Sequence, residues 1–427
     1  MKTEPIRAAV SLLFVTILLL SPATAVRGEN WPFWRGPGRD GVSHEKDIPA
    51  KWSKTQNVAW RLPLPGRAGA TPIIWENRIF LTSVDGDDLV LMCVSTEGKP
   101  FWKRVVGRGN KLVKGAEGDS ASPSPSTDGK HVWAFFSNGA LGCFDLDGNK
   151  VWSFNAQDRF GRFDIAFGLT STPVLDGDRL YLQFIHSGGA KVVALDKHTG
   201  DTLWQQRRPS DAYAECEHSY ASPTLYRDAQ REYLLTHGAD YIVAHSLKDG
   251  GELWRCGGFH PQAGYDPSLR FVASPLAVPG LIVVPSAKNG FLFGLKVDGK
   301  GNITGKPQYR HWTFDTTPDV SCPLVVDGLV YLCSKTGVLI CLDRRTGQQY
   351  YQRRTHGYQH RASPIYADGK IFLTARDGHV SVVATGRKFK LLAGNDIGED
   401  TAASPAVSDR RIYLRSFDAL YAIGQAN

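Results

Sequence analysis

The chain has 427 residues, 42% hydrophobic and 22% charged, enough apolar material for a packed core, which excludes a disordered or collagen-like polymer. With 44 glycines and 24 prolines against 2 methionines, it reads as many short β elements rather than long helices. The formal charge of +8 comes from scattered lysines and arginines, with no basic patch interleaved with aromatics, so nucleic acid is not an expected partner.

In chain order, the first predicted element is a signal peptide over residues 1–25. Lys2 and Arg7 supply the basic start, Ala8 to Leu20 the apolar stretch, and Ala23-Thr24-Ala25 the small-residue cleavage site. The apolar run, about 13 residues, is shorter than the roughly 20 that a spanning helix needs. Cleavage near Ala25 and export to the periplasm or beyond are expected, with an uncleaved anchor as the alternative. No other segment offers a span, and no cysteine follows the apolar run to carry a lipid. Residues 26–56, with Trp31, Trp34 and Trp52, are expected to pack across a face or edge of a single domain formed by residues 57–427.

That domain reads as a repeat. A small residue, Ser or Thr in nearly every copy, then Pro recurs with prolines at Pro72, Pro123, Pro173, Pro223, Pro275, Pro323, Pro364 and Pro405. After each come a few apolar residues, a turn such as Asp176-Gly177-Asp178, a β-rich run such as Arg179 to Leu182, a tight Gly-containing turn, a third run, and an outer strand with an aromatic. Four strands in a period of 40 to 52 residues are propeller blades. The innermost strand is an edge, where Pro costs no ladder hydrogen bond and small residues suit a crowded axis. Trp102, Trp152, Trp204, Trp254 and Trp312, then Tyr350 or Tyr351, then Phe389, are the expected wedges on outer strands. Trp75 and Trp133 are expected on inner strands. The eighth repeat ends at Ala422-Ile423 without an outer strand, whereas Val58 to Leu62 reads as an outer strand without a blade. The expected fold is all-β, an eight-bladed β-propeller of four-stranded antiparallel blades closed by that N-terminal strand.

Of seven cysteines, Cys93, Cys143 and Cys341 share one repeat position and are expected in the core. Cys216 and Cys256 occupy equivalent loops and could pair. Haem attachment and standard zinc motifs are missing, and Cys216-Glu217-His218 is by itself a weak metal signal.

The segment ALDKHTGDTLW, Ala194 to Trp204, resembles the tryptophan-docking motif of pyrroloquinoline quinone (PQQ) propeller repeats, and CLDRRTGQQYY, CFDLDGNKVW and HSLKDGGELW are variants. Asp196, Thr199, Gly200 and Trp204 match its structural signature. The chain is similar to the PQQ-binding-like family over about residues 57–424, and most to its BamB-like branch. The resemblance implies either a cofactor-free scaffold or a quinoprotein dehydrogenase with PQQ and calcium. Against the second stand three expectations: no Trp in a loop entering an inner strand, no adjacent cysteine pair, and no convergent Glu, Asn and Asp set for calcium. The expected role is therefore an exported, non-catalytic scaffold without cofactor, binding a protein or small molecule on the loop-rich face. The alternative is a PQQ-dependent or other oxidoreductase acting on alcohols or sugars. Candidate residues on that face are Glu217, His218, Arg270, Lys288, Lys335, His360, Arg361 and Arg376.

Overall fold

The computed structural model describes residues 28–111, 118–260 and 264–425; the predicted signal peptide and its cleavage site lie outside them. Eight antiparallel sheets stand in a ring, each of four strands, and blade 4 adds a short parallel fifth, Gly301–Asn302. Blade 1 is typical: inner strand Ile73–Trp75, two middle strands Arg78–Asp85 and Asp88–Ser95, outer strand Pro100–Arg108. The middle strands are buried almost throughout because a neighbouring blade covers each face. The outer strands alternate between half-buried and exposed, with one side in water. Among the described residues no helix is long and apolar enough to cross a membrane.

The ring closes as the repeat count requires. Val58–Pro63 pairs antiparallel with Ala419–Ile423 and supplies the outer strand of blade 8. The first and last strands of the propeller thus share one sheet.

Neighbouring blades are joined by docked tryptophans. The indole N–H of Trp60 donates to Thr96 O at 2.9 Å, Trp102 to Leu146 O at 2.9 Å, Trp152 to Lys197 O at 3.0 Å, Trp204 to Leu247 O at 3.3 Å and Trp312 to Arg344 O at 2.9 Å. Each acceptor is on the next blade, in the turn before its outer strand. There a glycine at positive φ meets the ring: a Cβ on Gly200 (φ 75°) would lie 2.8 Å from Trp152. Across the ladder, each aromatic faces a small residue: Cys93 opposite Trp102, Cys143 opposite Trp152, Ala194 opposite Trp204, Ala244 opposite Trp254, Cys341 opposite Tyr351. The three cysteines are thus core spacers, their thiols pushed up to about 12, 12 and 11 by burial.

Four expectations need correction. The inner start of blade 2 is Ser124-Pro125, not Ser122-Pro123, because Ser124 makes the inter-blade bond of that position and the strand is Ser126–Thr127. Trp133 lies on the second strand of its blade, His131–Phe135, and donates to Lys197 O at 3.0 Å, the same carbonyl that Trp152 uses. Phe389 precedes the outer strand Leu391–Asp396 and packs back on Tyr351, centroids 5.6 Å apart, so it does not wedge forward. Blades 7, 8 and 1 instead share one apolar cluster that takes in Trp31, Ile48 and Trp52. Finally, Cys216 and Cys256 are both buried free thiols, so they do not pair; Cys216 instead sits beside Asp240 and His260.

Trp254 is buried to 1% and packs on Gly299 of the 296–300 stretch that follows. Trp254→Ala should cost about 3–5 kcal/mol, read as a lower denaturation midpoint. An unchanged midpoint would show that blades 4 and 5 do not depend on this side chain.

Candidate functional site

The site is built at the axis, where inner strands begin. At six of the eight junctions the hydroxyl residue at the strand start accepts the backbone N–H of its counterpart on the preceding blade. Thr71 N donates to Ser124 Oγ at 2.9 Å, Ser124 N to Thr172 Oγ1 at 3.1 Å, Thr172 N to Ser222 Oγ at 2.9 Å and Ser222 N to Ser274 Oγ at 2.8 Å. Cys322 N donates to Ser363 Oγ at 3.0 Å, and Ser363 N to Ser404 Oγ at 2.9 Å. Cys322 replaces the hydroxyl in blade 6, so this position keeps a small side chain but offers a thiol.

Above this belt lies a central cavity of about 190 Å³, lined by the belt residues except Ser124, whose place Ser122 takes, and by Phe167, Tyr220, Arg270 and Arg361. Its floor is Trp34, which also lines a smaller space of about 30 Å³ behind it with Phe33, Arg35 and Arg39. The N-terminal segment holds that floor against the ends of the inner strands. Trp31 exchanges both backbone bonds with Ile74 (2.9 and 2.8 Å), and Thr127 N donates to Pro32 O at 3.1 Å. Arg35, fully buried, donates to Pro323 O at 2.8 Å and Pro364 O at 3.4 Å. Burial lowers its pKa, and the nearby Asp40 offsets only part of that effect. Trp34 is the residue that sequence reasoning missed: it reaches the axis from outside the repeats.

Two predicted residues meet in this cavity. Arg270 is paired with Glu215 at 3.2 Å and lies over Phe167 at 4.3 Å. Arg361 contacts Gln359 Oε1 at 3.4 Å. Arg376 is nearby, its guanidinium 5.9 Å over Phe417, with Arg67, another residue not foreseen, 3.8 Å from the same ring.

The other predicted residues are placed elsewhere. Lys288 is exposed at a hairpin tip, Lys335 half-buried at another, and Glu217 half-buried in the Ala214–Glu217 turn. His218 is buried with Nε2 2.9 Å from Ser187 Oγ, and burial lowers its pKa despite Glu215, Asp164 and Glu217 nearby. His360 is wholly buried, donating from Nδ1 to Tyr358 O at 3.0 Å. Its backbone N–H donates to Lys335 O at 2.9 Å, so it braces the hairpin instead of facing the mouth.

The cavity lining was tested against PQQ with calcium. A tryptophan floor and two arginines suit a flat anion. Among the described residues, however, the lining holds no Asp or Glu to ligate a divalent ion. Asp119, just behind Gly69, turns to Ala121 N at 3.0 Å and Ser122 Oγ at 3.1 Å, and burial raises its pKa, which disfavours an available carboxylate. The residues present do not fit the calcium-bound quinone.

Eight such blades, docked through tryptophan on glycine turns around an axial cavity, define a PQQ-repeat β-propeller. The chain belongs to the family described as outer membrane protein assembly factor BamB, which it matches over residues 50–182, 137–306 and 299–427. Among solved structures it is similar to BamB from Moraxella catarrhalis (TM-score 0.63, 15% identity, 86% of this chain and 96% of that one). It is also similar to a europium-containing methanol dehydrogenase (0.67, 13%, 90% and 89%). A third similar structure is the quinohemoprotein alcohol dehydrogenase ADHIIG from Pseudomonas putida HK5 (0.61, 14%, 93% and 81%). These likenesses establish the fold. No curated protein matches in sequence.

Four histidines are held neutral by burial. His186, His245 and His360 are pushed down to about 4, and His237 to about 3. An unfolded histidine takes up its proton near pH 6.5, so between there and about 4 the unfolded chain binds more protons than the folded one. Stability is then complete above pH 6.5 and falls as pH drops through this window. Thermal melting from pH 7 to 4.5 should show that fall, and His360→Gln, which removes one of the four contributors, should make it shallower. An equal slope in the variant would refute the assignment of His360.

Proposed function

We propose that this is an exported, non-catalytic binding propeller whose partner engages the loop-rich face and inserts an anionic group into the central cavity. The observation that carries this reading is the lining: Arg270 and Arg361 over a belt of hydroxyls and a Trp34 floor, with no Asp or Glu among the described residues of the lining itself, Glu215 standing behind Arg270. Such a lining recognises charge and shape, and it lacks the paired acid and base or metal ligands that a reaction would need. The BamB family supports a protein as partner, a polypeptide offering an acidic side chain or its terminal carboxylate being the chemistry that fits. The residues named at hairpin tips, Lys288, Lys335 and Arg376, would form the outer docking surface.

The test is capture from an envelope extract, with affinity then measured for Arg270→Ala and Arg361→Ala together. Each lost charge-assisted bond is worth about 1.5–3 kcal/mol, so the double variant should bind at least about 10-fold more weakly. Incubation with PQQ and calcium should give no quinone absorbance and no dye-linked oxidation of alcohols or sugars. Turnover in that assay would overturn the proposal in favour of an oxidoreductase.

A further inference from the structure

Three segments bring different donor types to one point at blade 4, two from the connections before and after it and one from its middle hairpin. Cys216 comes from the short turn Ala214–Glu217, Asp240 from the tip of the hairpin joining Glu232–Gly238 to Tyr241–His245, and His260 from the loop after the outer strand Glu252–Cys256. One donor atom from each lies within 4.8 Å of the others. Cys216 is fully buried, and the side chains of His260 and Asp240 are only 12% and 11% exposed. His260 Nε2 is bonded to Asp240 Oδ1, and the Tyr265 hydroxyl donates to Asp240 Oδ2 at 2.6 Å. His260 Nδ1 is buried with no hydrogen-bond partner. Asp240 holds its place through a left-handed backbone, φ 64°, at the hairpin tip.

We propose that Cys216, Asp240 and His260 form a zinc(II) site. Thiolate, imidazole and carboxylate are the three ligand types that zinc takes, and three protein ligands leave a fourth tetrahedral position for water or the Tyr265 phenol. The separations fit. Zinc bonds of about 2.0–2.3 Å at tetrahedral angles require ligand atoms about 3.3–3.7 Å apart, so the His260–Asp240 pair opens and Cys216 draws in through side-chain shifts of about 1 Å. On binding, the thiol gives up its proton and its bond to Leu269 O, now 3.0 Å, and the ion takes the place of the His260–Asp240 hydrogen bond. A calcium ion is a poor occupant, since sulfur and imidazole are soft for it. The motif is not Cys216-Glu217-His218: His218 points to Ser187 instead. The site would clasp the cavity wall, because the chain after Cys216 pairs with the chain after His260: Tyr220 N donates to Phe271 O at 2.9 Å, next to Arg270. This inference stands apart from the ligand reading of the cavity.

The full chain, stripped with a chelator, is titrated with zinc against a chromophoric competitor, alongside Cys216→Ser, Asp240→Asn and His260→Gln. Wild type should take up one equivalent, and each variant should bind at least about 100-fold more weakly. Zinc should raise the melting temperature of wild type alone. Cobalt(II) should give a thiolate charge-transfer band that Cys216→Ser abolishes. If Cys216→Ser fails to fold, His260→Gln, at the more exposed ligand, carries the comparison. Zinc uptake that is negligible in wild type, or equal in wild type and His260→Gln, would overturn the site.

Discussion

Crowding at the axis governs this molecule. Eight inner strands converge on one line, so the residue at each start must be small and its backbone N–H must find an acceptor within the ring. A serine or threonine solves both demands at once: its side chain is small, and its oxygen takes the N–H of the blade before it, as in Thr172 to Ser222 at 2.9 Å. Because the bonds run from blade to blade in one sense, they fix each sheet's rotation about the axis as well as its distance. The cavity above the belt is a by-product of that geometry, since residues this small cannot fill the centre.

At the rim the constraint reverses, and bulk is needed to fill diverging space. Tryptophan meets it with a ring on a glycine turn and an N–H to a carbonyl of the next blade. The two devices act at opposite radii and are both local in sequence, so the repeat count, the order of the strands and the closing role of residues 58–63 could all be read from residue types alone.

What escaped sequence reasoning escaped for physical reasons. In the run Ala121 to Ser126, two Ser-Pro pairs compete for one register, and only the bond from Thr71 selects Ser124. Trp133 carries an aromatic where β propensity allows any of three strands. Phe389 is the aromatic nearest the outer strand of blade 7, but the wedge position itself is Ala393, opposite Val382, and the extension's Trp52 stacks over Phe372 of the same blade at 6.3 Å, so the junction is filled otherwise. Of the candidate site, Arg270 and Arg361 were legible because each stands a few residues ahead of an inner start. His360 stands equally close, but its loop folds inward behind Gly337. Trp34, and the meeting of Cys216 with Asp240 and His260, depend on long-range placement that no local pattern records.

The segment from Trp31 to Gly41 has a further consequence. By lying over the ends of the inner strands, it places Trp34 between the central cavity and the smaller space behind it, so among the described residues the two sides of the hole are lined differently. The disc acquires a front and a back. Gly28 lies against Asp409, in the turn between Ala406–Ser408 and Arg411–Arg415, so the described chain starts on the face opposite the blade-to-blade loops.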